Sequence, residues 1–284
     1  MTLASLPDYV SVVNLAFARP DLVYPGSLDL SQTGLEYRAS GRTLHDAIAL
    51  LKAHHPATRV LLSVGGAAYT NWSALDVQAL AKLTHDLGAD GIDIDFEPRY
   101  PDCNAAADAR IHCRTDPEWE RIVLQLRTVM PRPNLLTATA WSVGAFGEGD
   151  FRLARPSSRY TGFMLSFLHS PAASDLDLLS IDAYDAGPQF DPLQAWRAYR
   201  AVWHGPLTLG LAVQRRGGAG PFPSESEAES LAGVVAKDPL GGMMVYPLLA
   251  IPEGRGSANP PDGLGLARAM CRGMKLADCT SSAR

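Results

Sequence analysis

The chain has 284 residues, a length that suits one large α/β barrel domain or two smaller domains. Hydrophobic residues make up 46% of the sequence and charged residues 19%, which is typical of globular proteins and argues against a disordered chain. The net charge is −5 and no basic run interleaved with aromatic residues occurs, so nucleic acid is not expected as a partner. No apolar stretch is long enough to span a bilayer, so no membrane partner is expected either.

The N-terminus and the cysteines bear on the cellular compartment. Residues 1–7 lack the basic start of a signal peptide, and the apolar run that follows has the pattern of a strand. The signal could have been removed, the chain could leave by another route, or it could stay in the cytoplasm. The four cysteines fall into two close pairs, Cys103 with Cys113 and Cys271 with Cys279. We favour two short-loop disulfides and a secreted protein over four free thiols.

Short apolar runs alternate with helical patterns along the chain. The predicted strands cover residues 10–18, 59–64, 91–96, 135–141, 176–184, 207–213 and 242–246. The predicted helices cover residues 44–54, 75–87, 117–130, 192–203, 225–237 and 264–274, with Gly88 as a C-cap and Ser224 as an N-cap. This alternation predicts parallel strands joined by helical crossovers.

The number of units predicts the architecture. A weaker pattern near residues 28–37 would supply an eighth strand, so we expect a (β/α)8 TIM barrel in which residues 1–284 form one catalytic domain. The longest polar, Gly- and Pro-rich stretches, 215–226 and 252–265, follow strands. In such a barrel these stretches lie at the carboxyl-end face, where active sites are found.

The most informative stretch is residues 90–97, Asp-Gly-Ile-Asp-Ile-Asp-Phe-Glu. In a strand, Asp93, Asp95 and Glu97 point to one face, while the apolar residues between them point to the other. Three like charges in a row are costly unless protons are shared or the charge is used. The Ile and Phe spacers favour such a strand over an irregular calcium loop. The pattern predicts a site where one carboxyl is protonated near neutral pH and another is not.

Several segments, taken together, resemble glycoside hydrolase family 18, the chitinase family. Its Asp-x-x-Asp-x-Asp-x-Glu motif is matched by residues 90–97, and its Ser-x-Gly-Gly motif by residues 63–66 one strand earlier. A later strand ends in Tyr184-Asp185, as in the family, and the first strand, residues 13–18, is also similar. Order and spacing agree over about residues 9–250.

Two positions depart from the family pattern. Asp182 stands where the family often has Met, and strand parity places it on the same face as Tyr184, so a fourth carboxyl is expected inside the barrel. Tyr246 stands where the last strand usually ends in the Trp that forms the floor under the sugar. Tyr can still stack on a sugar but offers less area. Both changes bear on substrate preference.

The resemblance implies hydrolysis of β-1,4-linked N-acetylglucosamine polymers, with retention of configuration and with the substrate's own N-acetyl group as nucleophile. Glu97 would be the general acid and then the base. Asp95 would bind the acetamido N–H and Asp93 would share a proton with it, while Tyr184 would hold the acetamido oxygen. No cofactor and no metal are implied, and neither the histidines nor the cysteines show metal-ligand spacing.

Further residues are expected to border the substrate groove. They are Phe17, Trp72, Trp141, Asp182, Asp185 and Tyr246. Ser63 is expected to be a buried hydrogen-bonding residue near the acids, and Gly65 and Gly66 to allow close backbone packing.

The loop lengths predict the shape of the groove. Residues 214–241 have room for one loop and one helix, whereas many family 18 chitinases insert a small α+β domain there. We therefore expect an open groove, endo-acting and non-processive cleavage, and a monomer. A Cys103–Cys113 disulfide would stiffen the loop after Glu97.

Other functions stay open at this stage. An endo-β-N-acetylglucosaminidase acting on N-glycans would use the same acids on the same barrel, and Asp182 and Tyr246 keep this alternative credible. A non-hydrolytic, lectin-like chitin-binding barrel is a second alternative, although such relatives typically lose the acid that Glu97 supplies here. A barrel subunit of a larger assembly is a third.

Overall fold

The computed structural model describes residues 3–253 and 260–279. Seven parallel strands form one sheet, and a small hairpin of two further strands follows the third. The strands are β1 Val12–Ala18, β2 Arg59–Gly65, β3 Gly91–Asp95, β4 Cys103–Ala105, β5 Ile111–Cys113, β6 Leu135–Trp141, β7 Leu178–Asp182, β8 Leu207–Ala212 and β9 Gly241–Tyr246. The helices are α1 Gly41–His54, α2 Val77–Leu87, α3 Asp116–Val129, α4 Leu165–His169, α5 Pro192–Val202, α6 Glu225–Val235 and α7 Gly263–Gly273.

The large sheet has the order β1-β2-β3-β6-β7-β8-β9, and all six neighbouring pairs are parallel. The sheet curls into a barrel, so that Phe17 on the first strand and Tyr246 on the last have ring centroids 6.3 Å apart. Since parallel strands point the same way, their carboxyl ends share one rim. The fold is that of the (β/α)8 TIM barrel, as the alternation of elements predicts.

The expected eighth strand near residues 28–37 is wrong, because the described residues there form turns instead. Ser27 and Leu28 adopt positive φ angles of 57° and 58°, which an extended strand does not allow. Thr33 folds back, its hydroxyl donating to the carbonyl of Leu30 at 2.8 Å. The segment meets its hydrogen-bonding needs locally rather than by pairing with β1.

Helix ends follow the capping signals in the sequence. Gly88 ends α2 in the left-handed conformation with φ 73°. Ser224 begins α6 with a capping box, in which its hydroxyl accepts from the amide of Glu227 and the Glu227 carboxylate accepts from the Ser224 amide. Only α6 lies between β8 and β9, so the expected absence of an α+β insertion is confirmed.

The outward face of β3 fixes the strand to the helical layer. Ile92 and Ile94 are fully buried. Phe96 packs edge-to-face on Trp72 and Trp119, with ring centroids 5.6 Å and 5.2 Å away. Because alternate residues of a strand face opposite ways, this packing turns the acids towards the barrel interior.

Both expected disulfides, Cys103–Cys113 and Cys271–Cys279, are present. The first closes the β4–β5 hairpin just after β3, with Cys103 and Cys113 directly opposite in the antiparallel register. Among the helices of the described residues, none combines the length and apolar character needed to cross a membrane.

Candidate active site

Three carboxyls lie in a row along β3, from the barrel interior to its mouth. Asp93 is 1% exposed and Asp95 is 6% exposed, while Glu97, just past the strand end, is partly exposed. The inward orientation that strand parity predicts for these three residues is confirmed. Access to solvent therefore increases towards Glu97.

Hydroxyl groups on the two neighbouring strands hold Asp93. Ser63 on β2 donates to its carboxylate at 2.7 Å, and Thr137 on β6 donates at 2.5 Å. Thr139 lies 3.5 Å from the same carboxylate. Burial raises the pKa of Asp93, and the three hydroxyls act in the opposite direction because they favour the charged form. Asp93 is thus a fixed buried acid, with Ser63 in the role expected for it.

Asp182 brings a fourth carboxyl into the same space. Burial raises the pKa of Asp95 well above its ordinary value, and the charges of Asp182, Glu97 and Asp93 add to that rise. The pKa of Asp182 is also raised well above its ordinary value, chiefly by burial. Because like charges in a low-dielectric space repel one another, each carboxylate disfavours ionisation of its neighbours.

Glu97 is tuned to titrate near neutrality. Its pKa is raised from 4.5 to about 7, chiefly by burial and also by the negative charge of Asp185, while the guanidinium of Arg215 acts to lower it. A carboxyl with a pKa near the working pH can both donate and accept a proton, as a general acid and base must.

Two tyrosines and an arginine cover the acids at the rim. The rings of Tyr184 and Tyr246 stack at 6.0 Å with an interplanar angle of 12°. The Arg215 guanidinium lies 5.4 Å from the ring centre of Tyr184 and 5.6 Å from that of Tyr246, and it forms an ion pair with Asp185. The Tyr184 hydroxyl donates to Asp182 at 2.6 Å. Asp185 thus lies beside Tyr184 at the rim, ion-paired with Arg215.

The sequence analysis missed Arg215 as a site residue. The available signal was its place in the Gly- and Pro-rich stretch after β8, at the carboxyl-end face of the barrel. The buried Nη1 atom of Arg215 has no hydrogen-bond partner within the described part of the chain, so it is free to donate to a ligand.

Of the four aromatic residues expected to contact sugar, the structure places three at the mouth of the barrel and buries the fourth. Phe17, Trp141 and Tyr246 are partly exposed at the strand ends that form the mouth. Trp72 is 1% exposed and packs on Phe96, on the opposite face of β3 from the carboxyls. The prediction that Trp72 borders the groove is therefore wrong, since its ring belongs to the core behind the strand.

Gly65 is required by the close approach of the chain to the acidic strand. Its φ of 106° suits glycine, and a Cβ atom there would collide with the Asp95 carbonyl oxygen. The amide of Gly66 donates to that same carbonyl at 2.9 Å. The Gly-Gly turn thus fixes the backbone of Asp95, in line with the close packing expected of it.

The described residues contain no cluster of three or more His, Cys, Asp or Glu side chains arranged to hold a metal ion. The carboxyls of the row are instead linked to hydroxyls and to one another's charge. The arrangement can therefore store and transfer protons at the mouth of the barrel.

Comparisons with known proteins agree with this geometry. No family model matches the chain. A chitinase of Plasmodium falciparum is 35% identical over 155 residues, which is 50% of this chain and 39% of that protein. Exochitinase 1 of Streptomyces olivaceoviridis is 27% identical over 207 residues, or 66% of this chain and 33% of that protein. The chain thus spans less than half the length of these relatives.

Solved structures show the same fold. The crystal structure of a GH18 chitinase from Pseudoalteromonas aurantia matches with a TM-score of 0.58 and 18% identity, covering 86% of this chain and 90% of that one. The chain is thus similar in sequence to chitinases over part of their length, and it shares its barrel fold with solved GH18 chitinases.

Proposed function

We propose that the chain hydrolyses β-1,4-linked N-acetylglucosamine polymers, that is, chitin or chito-oligosaccharides. The observation that carries this proposal is Glu97, a carboxyl at the mouth of the barrel with a pKa of about 7, placed directly above the buried Asp95 and Asp93. The chitinase relatives support the choice of substrate.

In the proposed mechanism Glu97 donates its proton to the oxygen of the scissile glycosidic bond. The carbonyl oxygen of the substrate's own 2-acetamido group attacks the anomeric carbon from the other side as the leaving sugar departs. This gives a cyclic oxazolinium-type intermediate. Water then opens the ring, losing a proton to the Glu97 carboxylate, and the configuration at the anomeric carbon is retained.

Asp95 stabilises the acetamido group in this scheme. Its carboxylate accepts a hydrogen bond from the acetamido N–H and offsets the positive charge that develops on the ring. Asp93, held by Ser63 and Thr137, supplies the neighbouring acid with which Asp95 shares a proton. The proton moves towards Asp93 when Asp95 must carry the negative charge.

Tyr184 holds the acetamido oxygen once substrate is bound. In the free protein its hydroxyl donates to Asp182 at 2.6 Å. Burial raises the pKa of Asp182, which favours its protonated form and lowers the cost of releasing the hydroxyl to the substrate. Asp182 thus keeps the Tyr184 hydroxyl directed into the site until substrate replaces it.

The groove is expected to favour internal, non-processive cleavage. Only one helix lies between β8 and β9, so no added domain walls the mouth. The two disulfides support secretion, and we keep the monomer and the single catalytic domain of residues 1–284 as parts of the proposal.

The substrate assignment predicts a strict need for the 2-acetamido group. We expect cleavage of N-acetylglucosamine oligomers, and a rate lower by at least about a hundredfold on matched glucose oligomers, because the nucleophile is then absent. Chromatography of the products on both substrates checks this, with a high-mannose glycoprotein as a third substrate. Equal rates on glucose oligomers would refute the mechanism. Preferential release of glycans would favour the endo-β-N-acetylglucosaminidase, and binding without hydrolysis would favour a sugar-binding protein.

The pH dependence follows from the Glu97 pKa. Glu97 must be protonated to act as an acid, so kcat/KM should fall about tenfold per pH unit above a pKa of about 7. A carboxyl with the ordinary pKa of 4.5 would instead lose activity from pH 4.5 upward. A profile of kcat/KM on an N-acetylglucosamine oligomer between pH 4 and pH 10 measures the position of this alkaline limb.

Two variants test the cause of the shift. Asp185→Asn removes a negative charge that raises the Glu97 pKa, so its alkaline limb should move to lower pH. Arg215→Gln removes the positive charge that lowers this pKa, so its limb should move to higher pH. Shifts in the same direction, or no shift in either variant, would show that another group sets the limb.

A further inference from the structure

A row of flat side chains leads away from Glu97 at the mouth of the barrel. We name it the aromatic–guanidinium ridge, and it consists of Trp141, Tyr160, Arg159, Tyr100 and Arg99. Its inner end meets the acid, since the Tyr160 hydroxyl donates to the carbonyl of Pro98, the residue after Glu97, at 3.1 Å. Burial raises the pKa of Tyr160, and the negative charge of nearby Glu97 adds to the rise.

The members of the ridge are in successive contact. Trp141 and Tyr160 stack with ring centroids 3.7 Å apart and an interplanar angle of 9°. The guanidinium of Arg159 lies 5.0 Å from the ring centre of Tyr160 and 5.8 Å from that of Tyr100. Arg99 lies 5.5 Å from the Tyr100 ring centre on the outer end. The ridge therefore continues from the active site to the surface.

The outer end of the ridge is open to solvent and rich in hydrogen-bond donors. Tyr100 is 54% exposed, and both arginines beside it are exposed. Within the described residues, neither Arg99 nor Arg159 has a carboxylate at ion-pair distance, whereas Arg114 nearby pairs with Asp102 at 2.8 Å. Neither guanidinium is held by an ion pair, so both keep N–H groups that can donate to a ligand, although Arg159 also hydrogen-bonds the side chain of Tyr160.

The loop that carries Tyr100 is held in place. Arg114 donates to the carbonyl of Tyr100 at 2.7 Å and to the carboxylate of Asp102 at 2.8 Å. The Cys103–Cys113 disulfide closes the hairpin that follows. A loop whose backbone is fixed before binding loses little backbone entropy when a ligand stacks on its side chain.

We propose that the ridge binds the sugar units on the leaving-group side of the scissile bond. The reacting sugar lies against Asp95 and Tyr184, and Glu97 protonates the oxygen that links it to the next unit, so the ridge beyond Glu97 meets the units that depart. Tyr100 stacks on the apolar face of a pyranose ring, and the two arginines donate to hydroxyl and acetamido oxygens. The ligand class is a neutral oligosaccharide of N-acetylglucosamine, and this inference rests on the proposed function.

The test compares two substrates in the double variant Tyr100→Ala/Arg159→Ala. One is the N-acetylglucosamine hexamer, which can reach the ridge, and the other is an aryl glycoside of the dimer, whose leaving group is not a sugar. We expect kcat/KM on the hexamer to fall about tenfold, as the loss of one stacking contact and its donor implies, and at least about five times more than on the aryl glycoside. The control Arg152→Ala removes an exposed arginine of the same loop outside the ridge and should change neither value.

The outcomes separate the two proposals. If the wild-type protein cleaves neither substrate, the proposed function fails and the ridge has no role in it. If the wild type cleaves both and the double variant keeps its hexamer value, the ridge proposal is overturned while the function stands. Equal losses on both substrates would also overturn it, because they would indicate damage to the catalytic carboxyls.

Discussion

Replacement of Glu97 by glutamine is expected to lower kcat/KM on N-acetylglucosamine oligomers by at least about a hundredfold. Glutamine has nearly the same shape but carries no acidic proton, so the leaving sugar would depart as an unprotonated alkoxide. The pKa of about 7 means that wild-type Glu97 is substantially protonated at neutral pH, so the loss should be visible there. Steady-state kinetics on the purified variant measure it.

The matched control is Glu118→Gln, on the surface of α3, where the carboxylate lies 3.4 Å from Arg121. It should keep wild-type activity, because Glu118 is partly exposed outside the row of acids and a single ion pair near the surface contributes little to stability. The Glu97→Gln variant should still bind the oligomer in calorimetry, since the rings and Asp95 are unchanged. If the Glu97→Gln variant kept most of its activity, the proposed mechanism would be refuted.

Replacement of Asp95 by asparagine is expected to lower kcat by about a hundredfold, with a smaller change in KM. Asparagine cannot carry the negative charge that offsets the cyclic cation, so the loss falls on the transition state rather than on binding. The close charges of Asp182, Glu97 and Asp93 show that Asp95 belongs to the coupled set. Separate measurement of kcat and KM on the same oligomer shows how the loss is divided between the two constants.

Asp150→Asn is the control, since Asp150 is an exposed carboxyl away from the row. A variant of Asp95 with wild-type kcat would remove substrate assistance from the mechanism while leaving the acid role of Glu97 intact. Loss of activity together with a lowered melting temperature would indicate a structural role for Asp95, and urea unfolding of both variants distinguishes the two.

The barrel and the acidic row could be predicted because both depend on simple periodicities. Strand parity alone places Asp93 and Asp95 inside and Phe96 outside, whatever the details of packing. The same rule brought Asp182 onto the face of Tyr184, where the structure shows their hydrogen bond. Strand order then follows from short crossovers between neighbouring parallel strands.

The predictions failed where a local turn sets the direction of the chain that follows it. The turn at Gly65 and Gly66, with φ angles of 106° and 68°, sends the following chain behind β3, so Trp72 packs on Phe96. Nothing in the spacing of residues indicates which side of the sheet such a turn will choose. Residues 28–37 contain apolar residues at strand-like spacing, but local hydrogen bonds and positive φ angles settle the segment as turns.

The site residues Arg215 and Tyr160 could not be predicted because the loops that carry them have no periodicity. Arg215 and Tyr160 come from different loops, and only the closed barrel brings both of them close to Glu97. The fold class indicates that loops at this face form the site, but it does not indicate which side chain of each loop turns inward.

The aromatic packing behind β3 makes the chemistry of the mouth dependent on residues that never touch a sugar. Phe96 lies in sequence between Asp95 and Glu97, the two acids of the proposed mechanism, and its ring packs on Trp72 and Trp119. Replacing Trp72 or Trp119 with a smaller residue would leave a cavity. The strand could then move into it and displace Glu97 relative to Asp95. Directed evolution for altered turnover should therefore select substitutions in this buried aromatic layer as well as in the groove. Efforts to stabilise the protein should keep the residues of this layer unchanged.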